Sequence, residues 1–296
     1  MGEEKRRFRS LSDSELVDLL YTAGDRLPRE AVDEILLRKR RMLPRLAEIV
    51  VDKTSWTLAL PEWWAVVHAT YILGAMGDRD ALVPLLTALR WADAFDCDWV
   101  TEDLPSIFAR FSPAAWGLLE AVARDVTAGE GARSIALAGL ACLSLDSPHL
   151  KEEVLHFAAQ TLSDEREGLY LRQTCANLLI DFCAVEHREP LLAFGRDESD
   201  RKRADPEYSA CFYDWELDEL LKGAEDGSAL EDYRRDCLGF YDPEEIATRQ
   251  ERWAREQEEA EDEQHPGGSF PETDPSSPCP CGSGWPFDQC CYLKVH

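Results

Sequence analysis

Cys279, Cys281, Cys290 and Cys291 stand in a C-x-C-x8-C-C array within the closing stretch PCPCGSGWPFDQCCYLKVH. Four thiolates inside thirteen residues are enough to close a tetrahedral shell around one soft or borderline cation, and zinc is the reading this spacing favours. So short a segment has no apolar core of its own, which makes metal binding its source of folding free energy. Gly282 and Gly284, either side of Ser283, give the chain freedom to turn directly after the first cysteine pair. The adjacent Cys290-Cys291 pair calls for irregular or helix-starting backbone, because neighbouring side chains diverge in regular structure. The competing chemistry is a disulfide cluster, in which these four sulfurs pair in several ways in an oxidising compartment.

The CPCGSG start and the closing CC resemble the SEC-C motif, a zinc module at the C-terminus of the SecA preprotein translocase and at the end of many otherwise unrelated bacterial proteins. The resemblance covers about the last fifteen residues and implies that all four cysteines are zinc ligands. It departs from the family between the two pairs, where lysine is usual and this chain has Trp285, Pro286, Phe287, Asp288 and Gln289. Lys294 is the one basic residue of the tail, so electrostatic docking to an acidic export chaperone is not carried over. Trp285 and Phe287 instead form an apolar contact point for a protein partner.

What must position such a tail is the rest of a 296-residue chain with 45% hydrophobic residues, enough to bury a sizeable core. The formal net charge is −26, of which residues 51–240 carry −18 and residues 241–274 carry −9. A field of that sign repels phosphate backbones and excludes direct nucleic-acid binding through the body; it suits a partner with a basic surface. The run Arg38-Lys39-Arg40-Arg41 with Arg45 is read as a solvated helix face. Cys97, Cys142, Cys175, Cys183, Cys211 and Cys237 lack metal or disulfide spacing and read as small buried apolar groups. With no signal peptide and no apolar run near the length of a membrane span, the expectation is a reducing cytoplasm.

The hydrophobic pattern before residue 264 is helical almost throughout, and no segment alternates cleanly enough for a strand. Ser12-Asp13-Ser14-Glu15 is a capping box, Pro28 marks a helix start, and an apolar helix over 62–76 closes at Gly77. The stretch HATYILGAMGDRDALVPLLTAL is similar to a HEAT-like repeat, with turns at Asp78, Asp146 and Glu186 spaced by 68 and 40 residues. WVTEDLPSIFARF and YDPEEIATRQERWARE resemble an uncharacterised bacterial HEAT-like family that often ends in a SEC-C module. The fold class expected is all-α: an N-terminal helical cap over 1–60, HEAT-like repeats over 61–240, a charged helix over 241–264, a Pro/Gly/Ser linker over 265–277 and the zinc module over 278–296.

Chemistry elsewhere has weaker grounds. Asp93, Asp96, Asp98, Glu102 and Asp103 lack calcium-loop spacing and read as a solvated loop with helix N-terminal charge. His68 sits on an apolar helix as a core histidine, and His149, His156 and His187 show no paired metal spacing. Tyr208, Phe212, Tyr213, Asp214, Trp215 and Glu216 read either as core or as a recognition surface. With no nucleophile elbow, phosphate loop or dinucleotide fingerprint, the expectation is a non-catalytic adaptor that binds a protein partner; the alternatives are a hydrolase-type enzyme with a site in the helical body, or an acidic nucleic-acid mimic.

Overall fold

Ser12 accepts the Glu15 amide at 3.2 Å while the Glu15 carboxylate accepts the Ser12 amide at 2.7 Å, so the capping box forms and starts a helix at Asp13. The computed structural model describes residues 2–264, and among them there is no strand. The helices are α1 Gly2–Ser10, α2 Asp13–Thr22, α3 Arg29–Leu37, α4 Lys39–Val51, α5 Trp64–Met76, α6 Leu82–Ala94, α7 Asp98–Ala109, α8 Trp116–Arg124, α9 Glu130–Ser144, α10 Pro148–Ser163, α11 Leu169–Asp181, α12 Arg188–Ala204, α13 Leu217–Gly223 and α14 Pro243–Gln264. The protein is all-α. It divides into two units, residues 1–246 and 247–296. No helix among the described residues is long and apolar enough to cross a membrane.

Within the first unit, α5 is apolar on every side and buried from Trp64 to Gly74, which makes it a central helix rather than a surface one. Gly77 ends it in the left-handed conformation at φ 58°, as the sequence leads one to expect. α5 packs on α4 and α7, α7 on α9, and α9 on α11; α8 and α10 pack against α9, and α10 against α11 and α12. Four of the helices, α4, α8, α10 and α12, end the same way: Asp52, Asp125, Asp164 and Asp205 stand at the C-cap, and each accepts the amide two residues on at 3.0 Å. These aspartates turn the chain toward the next helix by giving an acceptor to an amide just past the helix end.

A buried arginine ties each of two consecutive helix pairs. Arg133 of α9 donates from Nε to the Ala123 carbonyl at the end of α8, and its two terminal nitrogens clasp Glu167 at 2.6 and 2.8 Å. Arg172 of α11, 39 residues on, donates from Nε to the Leu162 carbonyl at the end of α10 and faces Asp197 at 3.7 Å. Carboxylates cross between pairs as well. Glu130 accepts the Tyr170 amide at the start of α11, close enough to Gly168 that a Cβ there would collide with it.

Two polar clusters differ in part from the sequence reading. Arg40, Arg41 and Arg45 are exposed as expected, whereas Arg38 is largely withdrawn from solvent: its guanidinium donates to the Phe8, Arg9 and Leu11 carbonyls, closing the end of α1, and pairs with Asp13 and Glu34 at 2.9 and 2.7 Å. The expected acidic loop is mostly helix. Asp98, Glu102 and Asp103 belong to α7, and the Asp93 carboxylate lies against Gly131 at the start of α9. In the second unit, the described part of α14 pairs Arg252 with Glu256 at 3.9 Å and lays the Arg252 guanidinium over the Trp253 ring.

Candidate functional site

After α13 the chain loses its helical period. Gly223, Gly227 and Gly239 interrupt it, Gly227 takes φ 73°, and residues 224–242 proceed through three short 3-10 turns. This strap runs back along the first unit, touching α11, α9, α7, α5 and α3 in turn. Tyr233 sets its ring edge-on to Phe182 at 5.3 Å and donates its hydroxyl to Asp181 of α11 at 2.8 Å. Arg234 meets Asp146, just after α9, at 3.2 Å; Arg235 meets Glu102 of α7 at 3.3 Å; and Asp236 accepts from Arg110 at 3.1 Å. The Cys237 thiol points to the Tyr71 carbonyl of α5, and Arg29 of α3 donates to the Leu238 carbonyl and to Asp242.

The far end of the strap is held by rings. Phe240 lies 5.4 to 6.0 Å from the rings of Tyr71, Trp99, Trp64 and His68, and Tyr241 is fully buried beside it. His68, also fully buried, places Nε2 2.8 Å from the Gly24 carbonyl and Nδ1 3.2 Å from the Tyr241 hydroxyl. Because the carbonyl only accepts, Nε2 donates to it. The core histidine expected from sequence thus links α5 to Gly24 and to the Tyr241 end of the strap.

Between strap and helices lies a cleft of about 250 Å³ lined by Glu102, Cys142, Asp181, Asp232, Tyr233 and Arg235, among others. Burial raises the Asp181 carboxyl, partly offset by the Tyr233 hydrogen bond; burial likewise raises Asp103, against the Tyr71 hydroxyl and the Arg235 charge. Burial pushes the thiols of Cys97, Cys142, Cys175 and Cys237 up to about 12 and that of Cys211 up to about 11. They are therefore protonated and poor nucleophiles at neutral pH. Among the described residues there is no group of three or more His, Cys, Asp or Glu arranged to hold a metal ion. The cleft offers carboxylates, a phenol and a guanidinium on a concave face, which suits recognition of a cationic group.

The raised Asp181 carboxyl gives a stability prediction. A carboxyl whose folded pKa exceeds its unfolded value contributes stability that is fully present below the unfolded pKa and is lost as pH rises through the folded one. Asn at this position is neutral at every pH and still accepts from Tyr233. D181N is expected to melt above the wild type at neutral pH, and its advantage is expected to vanish below about pH 4, where both states of the wild type are protonated. Thermal unfolding at the two pH values checks this; a variant less stable at neutral pH would contradict it.

The remaining sequence-derived candidates are scattered. Cys279, Cys281, Cys290, Cys291, Trp285 and Phe287 lie outside the described residues. His149, His156 and His187 line a shallow groove with Glu152, Glu153 and Glu186. In the aromatic stretch Phe212 is core, Tyr208 donates to the buried Glu198 carboxylate at 2.7 Å, and Trp215 is 72% exposed and stacked on Tyr213. The strap is not anticipated from sequence; its signals are the YRRD run and the Phe240-Tyr241 doublet, whose partners are far away in the chain.

Fold and cleft together define an all-helical protein that holds an irregular segment of its own chain against successive helices. The chain belongs to the family described as protein of unknown function (DUF1186), whose model matches residues 12–237 and so covers most of the helical body and the charged half of the strap. No curated protein and no solved structure matches it.

Proposed function

We propose that this protein is a non-catalytic adaptor whose HEAT-like helical repeats bind a protein partner with a basic surface, and whose tail carries a zinc module as a second contact point. The observation that supports the first half is the strap. A face built from α5, α7, α9 and α11 already holds an irregular, 3-10-turned segment by charge pairs and ring contacts, a surface suited to holding a partner's chain. The repeated Asp C-caps and the Arg133 and Arg172 ties, 39 residues apart, support the repeat reading. The zinc half rests on the donor set of the sequence: Cys279, Cys281, Cys290 and Cys291 would hold the ion, and four thiolates leave it no open position for a substrate. By the tail's resemblance to SEC-C modules, the partners belong to bacterial protein export, translation or quality control, in a reducing cytoplasm.

Cross-linking followed by mass spectrometry tests the reading on the intact chain and on one ending at Asp274. Partner cross-links are expected on α7, α9 and α11 in both, with additional links at Trp285 and Phe287 in the intact chain only. One zinc per chain is expected in reduced protein and none in C279S/C281S. Reduced protein without zinc removes the metal half, and a partner that links to neither the helical face nor the tail removes the adaptor half.

A further inference from the structure

α10 packs against α12, and it buries Val154, Leu155 and Ala158 while leaving His149, Glu152, Glu153 and His156 exposed. The short turn Val185–His187 that leads into α12 brings Glu186 and His187 to the same place. The groove so formed is about 690 Å³, and its lining consists of histidine and glutamate side chains. It gathers three of the six histidines of the chain, and His187 lies 31 residues after His156, so the fold rather than a local motif brings the two together.

Two observations set this groove apart from an ordinary acidic surface. The His156 and His187 rings, from different elements, have their centres 6.4 Å apart. Two imidazoles that share one zinc-like ion at N–metal distances of about 2.0–2.1 Å have ring centres roughly 5–6.5 Å apart, depending on the angle between the bonds. The groove also has no cation of its own. Lys151 lies over the Phe182 ring at 5.2 Å and Arg188 is paired with Asp218 at 2.9 Å, so the basic residues next to Glu152 and His187 in sequence are engaged elsewhere. Glu152, Glu153 and Glu186 have no ion-pair partner among the described residues. Uncompensated carboxylates beside two neighbouring imidazoles favour a cation that accepts nitrogen as well as oxygen donors.

We infer that His156, His187 and Glu152 form a binding site for one divalent transition-metal ion of the zinc class, separate from the tail, that ties α10 to the turn entering α12. Glu152 stands four residues before His156 on α10, so these two donors share a helix face. Among the described residues no three such donors converge on one point, and the exposed Glu152 side chain swings in to complete the set when the ion binds. Gln160, one turn further along α10, holds its terminal amide 3.0 Å from Nε2 of His156. A metal-bound imidazole needs an acceptor for its other N–H, and the amide oxygen of Gln160 supplies one when Nδ1 takes the ion. Two imidazoles and one carboxylate leave at least one position open to water or to a donor from outside the chain.

Three donors on an exposed face hold an ion far less tightly than four thiolates, so this one is lost on desalting and the zinc content of purified protein reads the tail alone. The test is a titration of Zn²⁺ into the full-length C279S/C281S chain after chelator treatment, followed by calorimetry and by the ring-proton resonances of its histidines. One ion per chain is expected to bind with a Kd on the order of micromolar, shifting the resonances of His156 and His187. Affinity is expected to fall at least about hundredfold in H156Q/H187Q and about tenfold in E152Q, and to change less than about threefold in H149Q, which lies in the same groove outside the proposed set. All four side chains are exposed or half-buried, so the variants should melt with their parent before zinc is added and loss of binding would not reflect unfolding. Millimolar Mg²⁺, which prefers oxygen donors, should not compete. Absence of zinc binding, retained affinity in H156Q/H187Q, unmoved His156 and His187 resonances, a loss in H149Q as large as in H156Q/H187Q, or Mg²⁺ competing as well as Zn²⁺ would each overturn the site. None of these outcomes bears on the adaptor reading, which rests on the helical face and the tail.

Discussion

Replacing Phe240 by alanine is expected to lower the melting temperature by roughly 10 °C and to expose residues 228–241 to trypsin. Phe240 is 8% exposed and lies within 5.2 to 6.0 Å of five rings: Tyr241, Tyr71, Trp99, Trp64 and His68. Truncating a buried phenylalanine costs about 3–5 kcal/mol, made of lost transfer free energy and the cavity left behind. The loss falls on the part of the strap that is held by burial, and the two surface ion pairs at Arg234 and Arg235 cannot offset it. Those two arginines are the cleavage sites, so proteolysis reads strap release directly while calorimetry reads the global cost. W215A, which removes an exposed ring, serves as the comparison and is expected to change stability by less than about 0.5 kcal/mol. An F240A protein that melts lower but resists trypsin at Arg234 and Arg235 would show that the strap does not depend on its ring anchor.

Local signals carry the helices and fail at the strap, and the reason is sequence distance. Ser12, Gly77 and Pro28 each announce a helix end because a cap depends on residues within one turn. The strap depends on pairs such as Cys237 with Tyr71, 166 residues apart, and Arg29 with Asp242, 213 residues apart, and no periodicity encodes them. Charge is the other source of divergence. A basic run reads as solvated, yet Arg38 turns inward because the carbonyls ending α1 need donors; an acidic run reads as loop, yet Asp103 sits in a helix against Tyr71. The repeat lies between these cases. The spacing D-x3-G-x3-R occurs at Asp125, Gly129 and Arg133 and again at Asp164, Gly168 and Arg172, while the leucine pattern draws the eye instead to the turns at Asp78, Asp146 and Glu186. What gives the spacing meaning is the pairing of each arginine with a helix-end carbonyl ten residues before it. The tail cysteines lie outside the described residues.

Those two arginines make the sharpest test of the repeat, because one contact is shared and the other is not. Both donate Nε to a helix-end carbonyl at about the same distance, 3.0 Å for Arg133 and 2.9 Å for Arg172. Arg133 adds a bidentate pair with Glu167, whose side chain is 19% exposed, whereas Arg172 faces Asp197 at 3.7 Å with that side chain 52% exposed. Breaking a buried pair strands a carboxylate and costs about 3–5 kcal/mol, while losing a hydrogen bond and an exposed pair costs about 1–3 kcal/mol. R133M is therefore expected to destabilise the protein by about 2 kcal/mol more than R172M in denaturant unfolding. The Arg133 hydrogen bond holds the Glu167 carboxyl below its ordinary range, so the stability it contributes is present above the unfolded pKa and is lost as pH falls through the folded one. The gap between the two variants should accordingly narrow in acid. R133K is expected to recover little, since an ammonium group cannot reach the Ala123 carbonyl and both oxygens of Glu167 with one planar fork. Equal losses in R133M and R172M at neutral pH would mean that the shared carbonyl bond, and not the Glu167 clasp, is what ties each helix pair together.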